Sequence, residues 1–253
     1  MLTSDRLLDL VARSGLVFRG RVVELRAAGL KVIRDTSATA LVGVERVFRG
    51  PADIDLKEQK QVTVLLTDPG SVHEGDELVF FATGWMYGDR IAVREVAHLD
   101  FDPGRDDAFA REVARAEKAI ADAELVARVA AAELVVLAGV GRVLDERFTS
   151  GPPSVERVLP PGFDDVVWQP IELSVVNVLK GQARAKRATA LVRIEEDPPW
   201  RKAPSIAKGR KLILLLRRTR DQKQAGWFAP ERGDIRPARE LRRIERAIKE
   251  AGR

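Results

Sequence analysis

The residues in this chain best placed to do chemistry are its cations and aromatics, because its acids and histidines do not assemble into recognisable machinery. Histidine occurs twice, as His73 and His98, each without a neighbouring partner motif, and cysteine is absent. Two isolated imidazoles make neither a zinc site nor a Ser-His-Asp arrangement, and the missing cysteines remove thiolate ligands and disulfides. Acids cluster at Asp164-Asp165 and at Glu195-Glu196-Asp197, each beside prolines. Such positions are expected to be solvated loop residues rather than a general acid–base pair. Phosphate-cradling glycine loops and the dinucleotide fingerprint are also missing. No catalytic residue, metal ligand or cofactor is assigned, and a non-enzymatic protein is expected.

The cations carry a stronger pattern. The formal net charge of +5 divides into −2 over residues 1–105 and +7 over residues 106–253, with +13 in the stretch 180–253 alone. A field of that kind attracts nucleic acid, anionic lipid or an acidic protein, with an Arg-rich solubilising surface as the plainer alternative. Two groups concentrate the charge. Lys180, Arg184, Lys186 and Arg187 follow one strand-like segment, and Arg217, Arg218, Arg220 and Lys223 follow another. Phe148, Phe163 and Trp168 lie in the long proline-rich stretch that precedes them. A basic groove with aromatic neighbours suits phosphate neutralisation and base stacking. Trp85 and Tyr87 in one turn, and Trp200 after Pro198-Pro199, are the candidate exposed anchors for a protein partner, since Trp, Tyr and Arg dominate interface hot spots. The alternative is that each aromatic caps its own domain.

The elements that must position these residues occur twice. The segment 110–120 reappears as 238–248, and ahead of each lies the same order of five β-like segments. A period near 128 divides the chain into domains at 1–121 and 122–253, each of a size that buries its own core. Strand one is read at 16–23, with Gly20-Arg21-Val22 matched to Gly141-Arg142-Val143. Strand two alternates Ala40, Val42, Val44 and Phe48 on one face and ends at Arg49-Gly50. Its partner alternates Ile171, Leu173, Val175 and Leu179 and ends at Lys180-Gly181. Strand three is expected at 62–66 and 189–193. Strand four follows Gly75 and Gly209, and strand five is a short Ile91-Ala92-Val93 against Trp227-Phe228-Ala229. An amphipathic helix follows each set, with Val113, Ala116 and Ile120 matching Leu241, Ile244 and Ile248. The first helix is expected to run from about Asp106 toward Ala132 and so to join the copies as a semi-rigid pair rather than through a flexible linker. The fold class is mainly β with α: two tandem five-stranded OB-like β-barrels, each followed by an amphipathic helix.

Three motifs carry a family resemblance: Leu16-Val17-Phe18-x-Gly20-x-Val22, Val44-x-x-Val47-Phe48-Arg49-Gly50 and Gly75-Asp76-x-Leu78-Val79-Phe80-Phe81. The second copy repeats them through Gly141-Arg142-Val143 and Val175-x-x-Val178-Leu179-Lys180-Gly181. The pattern resembles the netrin-module and tissue-inhibitor-of-metalloproteinases superfamily, which implies an OB-like barrel with a C-terminal helix. That family inhibits through an N-terminal cysteine on the protease zinc. A chain without cysteine carries over the fold and no functional residue.

The apolar fraction of 45% and the charged fraction of 32% fit a globular protein. No apolar run reaches the roughly 18–20 residues of a membrane span. The N-terminus lacks the layout of a signal peptide, so a cytoplasmic location is expected, with a secreted mature chain as the alternative. The leading functional expectation is a protein-binding or scaffold module acting through its loops, with self-association included. Single-stranded nucleic-acid binding by the basic second barrel is the alternative.

Overall fold

The computed structural model describes residues 3–29, 33–50, 61–87, 90–144, 167–183, 185–194, 206–218 and 226–252. The chain divides into two compact units, Met1–Ala121 and Asp122–Arg253. The first contains α1 (Ser4–Arg13), β1 (Leu16–Leu25), β2 (Thr39–Arg49), β3 (Gln61–Leu65), β4 (Glu77–Tyr87) and β5 (Arg90–Asp100). Helix α2 (Asp106–Ala131) begins in the first unit and ends in the second. The second unit continues with β6 (Leu134–Val143), β7 (Val167–Lys180), β8 (Arg187–Ile194), β9 (Lys211–Arg218), β10 (Trp227–Ala229), β11 (Ile235–Pro237) and α3 (Leu241–Ala251). Among the described residues no helix is long and apolar enough to cross a membrane.

Each unit is a closed five-stranded barrel. The first runs β1-β2-β3-β5-β4 and closes through β4 on β1; only β3 and β5 are parallel. The second runs β6-β7-β8-β10-β9, with β8 and β10 parallel and β11 added alongside β9. This is the strand order of an OB-like barrel. Period-two alternation places Leu16, Phe18 and Val22 of β1 in one interior, and Leu134, Val136, Ala138 and Val140 of β6 in the other.

The two barrels share a register residue for residue. Val17, Phe18 and Gly20 of β1 pair with Phe81, Phe80 and Leu78 of β4; Val135, Val136 and Ala138 of β6 pair with Leu215, Leu214 and Leu212 of β9. Gly75 N–H donates to Val22 O at 2.8 Å and Val22 N–H to Asp76 O at 2.9 Å. Gly209, Val140 and Arg210 repeat this at 2.8 and 2.9 Å. Gly75 and Gly209 take φ of +91° and +83°, a conformation that favours glycine and explains why both strands follow one. The pairing corrects the match of Gly20 to Gly141: Gly20 corresponds to Ala138, and Gly141 to the bulged Val23.

Bulges correct a second expectation. Ala40, Val42 and Val44 face the first interior, but extra residues at Glu45 and Phe48 rotate Phe48 to the outer face, where it packs on Phe109 at 5.0 Å. Bulges at Val176 and Leu179 do the same for Leu179. Strand five of the first copy is an 11-residue strand rather than a short one. In the second copy the 3-10 turn Arg232–Asp234 interrupts the counterpart, leaving β10 and β11.

Helix α1 was not expected from the sequence, and it redefines the repeat. Leu7, Leu10 and Val11 of α1 pack on the outer face of the first barrel with Val17, Val79 and Phe81. Leu125 and Val129 of α2 pack with Val135, Ile213 and Leu215 in the second. Leu7 and Leu125, Val11 and Val129, and Leu16 and Leu134 stand at one constant separation. The second half of α2 is therefore the counterpart of α1, and each repeat is helix, barrel, helix. The stripe Val113, Ala116 and Ile120 lies on the first barrel, and Leu241, Ile244 and Ile248 lie on the second, as the sequence period requires.

Candidate binding surface

The basic residue that ends strand two in both copies does one structural job. Arg49 donates through NH1 to the carbonyls of Val11 and Ser14, the latter at 2.6 Å. Lys180 Nζ donates to the carbonyls of Val129, Ala130 and Ala132 at 2.7, 3.0 and 2.7 Å. Each cation thus satisfies the orphan carbonyls at the C-terminus of the helix that precedes its own barrel and complements that helix's negative end. The glycine after Lys180 is equally constrained. Gly181 has φ +80°, and a Cβ there would overlap the Glu133 carbonyl oxygen. Lys180 accordingly caps this helix.

Several other candidates move for equally local reasons. Trp168 belongs to β7 instead of a loop and is 3% exposed, in an edge-to-face contact with Phe228 at 6.0 Å beside Leu191. Trp85 and Tyr87 sit within β4 rather than in a turn, paired with Ala92 and Arg90 of β5. Arg217 and Arg218 end β9, and Arg187 opens β8 after an exposed Lys186. Arg184, Trp200, Arg220 and Lys223, with Phe148 and Phe163, lie outside the described residues.

The histidines divide. His73 is exposed beside Asp76 at 3.6 Å. His98 belongs to a cluster the sequence did not show: its Nδ1 lies 2.5 Å from Oε1 of buried Glu95, and its Nε2 lies 3.3 Å from Ser71 Oγ. Glu95 Oε2 also accepts the Thr67 N–H at 2.8 Å. The trio has the connectivity of a Ser-His-acid relay, but Ser71 Oγ also lies 2.9 Å from the Asp68 carbonyl, which is the nearer acceptor for its proton. The cluster ties the β3–β4 connection to β5 and acts as a brace. Among the described residues no group of three metal-binding side chains converges.

What remains is one end of the second barrel. A cavity of about 400 Å3 opens there, floored by Leu134, Val136, Leu173, Val175 and Leu216 and rimmed by Arg187, Thr189 and Trp227. Arg218 lies over the Trp227 ring at 5.3 Å from its centroid, fixing a half-buried aromatic beside a cation. The first barrel is filled at the matching positions. Phe18 and Phe80, fully buried and stacked at 5.4 Å, stand where the second barrel has Val136 and Leu214. Val47, opposite Phe18, packs onto that core, whereas its counterpart Val178, opposite Val136, is 37% exposed. The smaller side chains leave the open end.

The outer faces differ in the same sense. On the first barrel Glu45 pairs with Arg19 at 3.0 Å and Arg21 at 3.7 Å, and Arg21 also pairs with Glu77. Arg46 meets Asp106 and Asp107 at 2.5 and 2.9 Å, and Asp106 also meets Arg19 at 3.2 Å. In the second copy the register puts Leu137, Gly139, Val176, Asn177 and Lys211 at the positions of Arg19, Arg21, Glu45, Arg46 and Glu77. The closed ionic lattice is gone, and in its place stand the uncharged Leu137, Gly139, Val176 and Asn177 with a single Lys211, Val176 being 58% exposed. Sequence reasoning missed buried Val136 as cavity lining and Val178 and Trp227 as residues at the open end; the Phe18-to-Val136 exchange was the available signal once the register was right. Compared with known proteins, the chain matches no family model and no curated protein.

Proposed function

We propose that the protein is a non-enzymatic protein-binding module in which the first barrel is a self-satisfied scaffold and the second docks a partner at its open end. One observation carries this reading: two barrels with identical registers differ in that the second lacks the Phe18/Phe80 plug and presents a cavity rimmed by Arg187, Thr189 and Trp227, with Arg218 over the Trp227 ring. An apolar pocket with a few placed polar groups suits an anchoring side chain, and Trp and Arg are the residues of interface hot spots. The rim selects an acidic partner. Kinship with the netrin-module superfamily is part of the same proposal, supported by the barrel order and by the helix after each barrel.

Peptide-display selection on the full chain tests it. Enriched peptides should carry an apolar anchor flanked by acids, and Val136→Phe and Trp227→Ala should each weaken them at least about tenfold. Undiminished binding by both variants overturns the reading.

Single-stranded nucleic acid is the second reading, favoured by Lys186, Arg187, Arg217 and Arg218 near one end of the barrel. Against it, among the described side chains of β7 and β8 the exposed ones are Glu172, Ser174, Val176, Asn177, Val178, Arg187 and Thr189, which offer no stacking platform. Titration with single-stranded DNA at two salt concentrations separates the two. Absence of binding at low salt removes this reading.

A further inference from the structure

Strand β7 outruns its neighbour. Its pairing with β8 ends where Ser174 meets Arg187, with one further bond from Val175 N–H to Lys186 O at 2.8 Å. Residues 176–180 then pair with β6 alone. Among the described residues no strand lies on their other side, and Val176, Asn177 and Val178 are all exposed. Apart from its bulges at Val176 and Leu179, such a strand leaves outward backbone groups without a strand partner among the described residues, a template for another chain. Proteins usually blunt such an edge with charge. The first copy does so at the corresponding positions, through Glu45 with its two arginines and Arg46 with its two aspartates. The second copy has given up those charges and keeps an edge of valines.

We propose that residues 176–179 of β7 accept an extended segment of an acidic partner protein as an added strand, with one of its apolar side chains entering the cavity at the barrel end. The inference rests on the open end being the docking site and names how the partner is held there. Continuity supports it, since Val175 lines the cavity and immediately precedes the free edge. Charge complementarity selects the occupant. From Ser174 to Arg187 the chain contains no acid, and the exposed Lys186 and Arg187 stand beside the edge. A second copy of this chain would bring its own basic edge against this one, whereas an acidic strand is drawn in. Main-chain bonds supply the affinity, and the pocket for alternate side chains supplies the selectivity.

The test uses a fluorescein-labelled peptide of alternating Glu and Val on the full chain, with fluorescence anisotropy at two salt concentrations. A second peptide of the same sequence carries N-methyl groups on alternate backbone amides. Strand addition predicts binding that weakens with salt and is lost at least about tenfold on N-methylation, since main-chain hydrogen bonds are removed. Absence of binding at low salt overturns the proposal. Equal binding of the N-methylated peptide also overturns it, and leaves the open-end reading to stand on Val136→Phe. Loss on N-methylation together with indifference to Val136→Phe and Trp227→Ala upholds strand addition at 176–179 but overturns the entry of a side chain into the cavity, and with it the open-end reading. A salt-stable dimer of the chain, abolished by Val176→Lys, overturns the acidic partner in favour of self-pairing.

Discussion

Replacing Lys180 by Met should unfold the second unit preferentially. The ammonium donates three hydrogen bonds to the carbonyls that end α2, two of them partly buried at 2.7 Å and one exposed at 3.0 Å. Water can replace the exposed bond, so its loss costs little. The other two are bonds to a charged donor, each worth about 1.5–3 kcal/mol net, and bonds from one ammonium are not additive. Favourable interaction with the helix terminus contributes about 0.3–1 kcal/mol more. The expected loss is about 2–3 kcal/mol, which for a unit of this size lowers the midpoint by roughly 10 °C. Calorimetry on the full chain reads this as a shift of the transition belonging to the second unit. Lys180→Arg should recover most of it, and Arg49→Met should move the first unit's transition instead. A Lys180→Met protein within about 0.5 kcal/mol of the parent would refute the capping role assigned to this residue.

Other consequences follow from the same contacts. Phe80→Ala should cost about 3–5 kcal/mol in the first barrel, measured by urea unfolding, because it removes a fully buried ring and unpairs Phe18. Glu95→Ala should cost about 1–3 kcal/mol by leaving the Thr67 N–H and the His98 ring without their buried acceptor; a near-neutral result would contradict the brace. Burial pushes the Asp234 carboxyl above the ordinary aspartate range, although the Glu231 N–H and the Arg128 charge pull the other way. Its contribution to stability is therefore present at acid pH and lost as pH rises through that raised value. Unfolding of Asp234→Asn against the parent from acid to neutral pH should show the variant gaining relative stability as pH rises, and an opposite slope would contradict the assignment.

Strands two and four and the stripes of α2 and α3 were legible because each has a local signal: period-two alternation, a glycine at positive φ, or a three-and-four spacing. Helix α1 was hidden because its counterpart is continuous with another helix, and a mistaken match of Gly20 to Gly141 obscured the Leu7–Leu125 and Val11–Val129 correspondence. Trp168 closes the proline-rich stretch in sequence, which hides that it belongs to β7, where even Pro170 pairs, opposite Leu191. The open end was not legible at all before the register was known. Val136 looks like any strand valine until cross-strand pairing sets it where Phe18 stands. Lys180 illustrates the same limit, since its acceptors are some fifty residues away in the chain.

In the proposed reading two equal scaffolds have unequal ends, and the second is the one that binds. Methyl NMR of the full chain, titrated with a display-selected acidic peptide, tests it most directly. Shifts are expected in Val136, Val175, Val178 and Leu216, with Val42, Val44, Val62 and Val64 of the first barrel unmoved. Perturbation of the first barrel's methyls, or of neither barrel's, would contradict it.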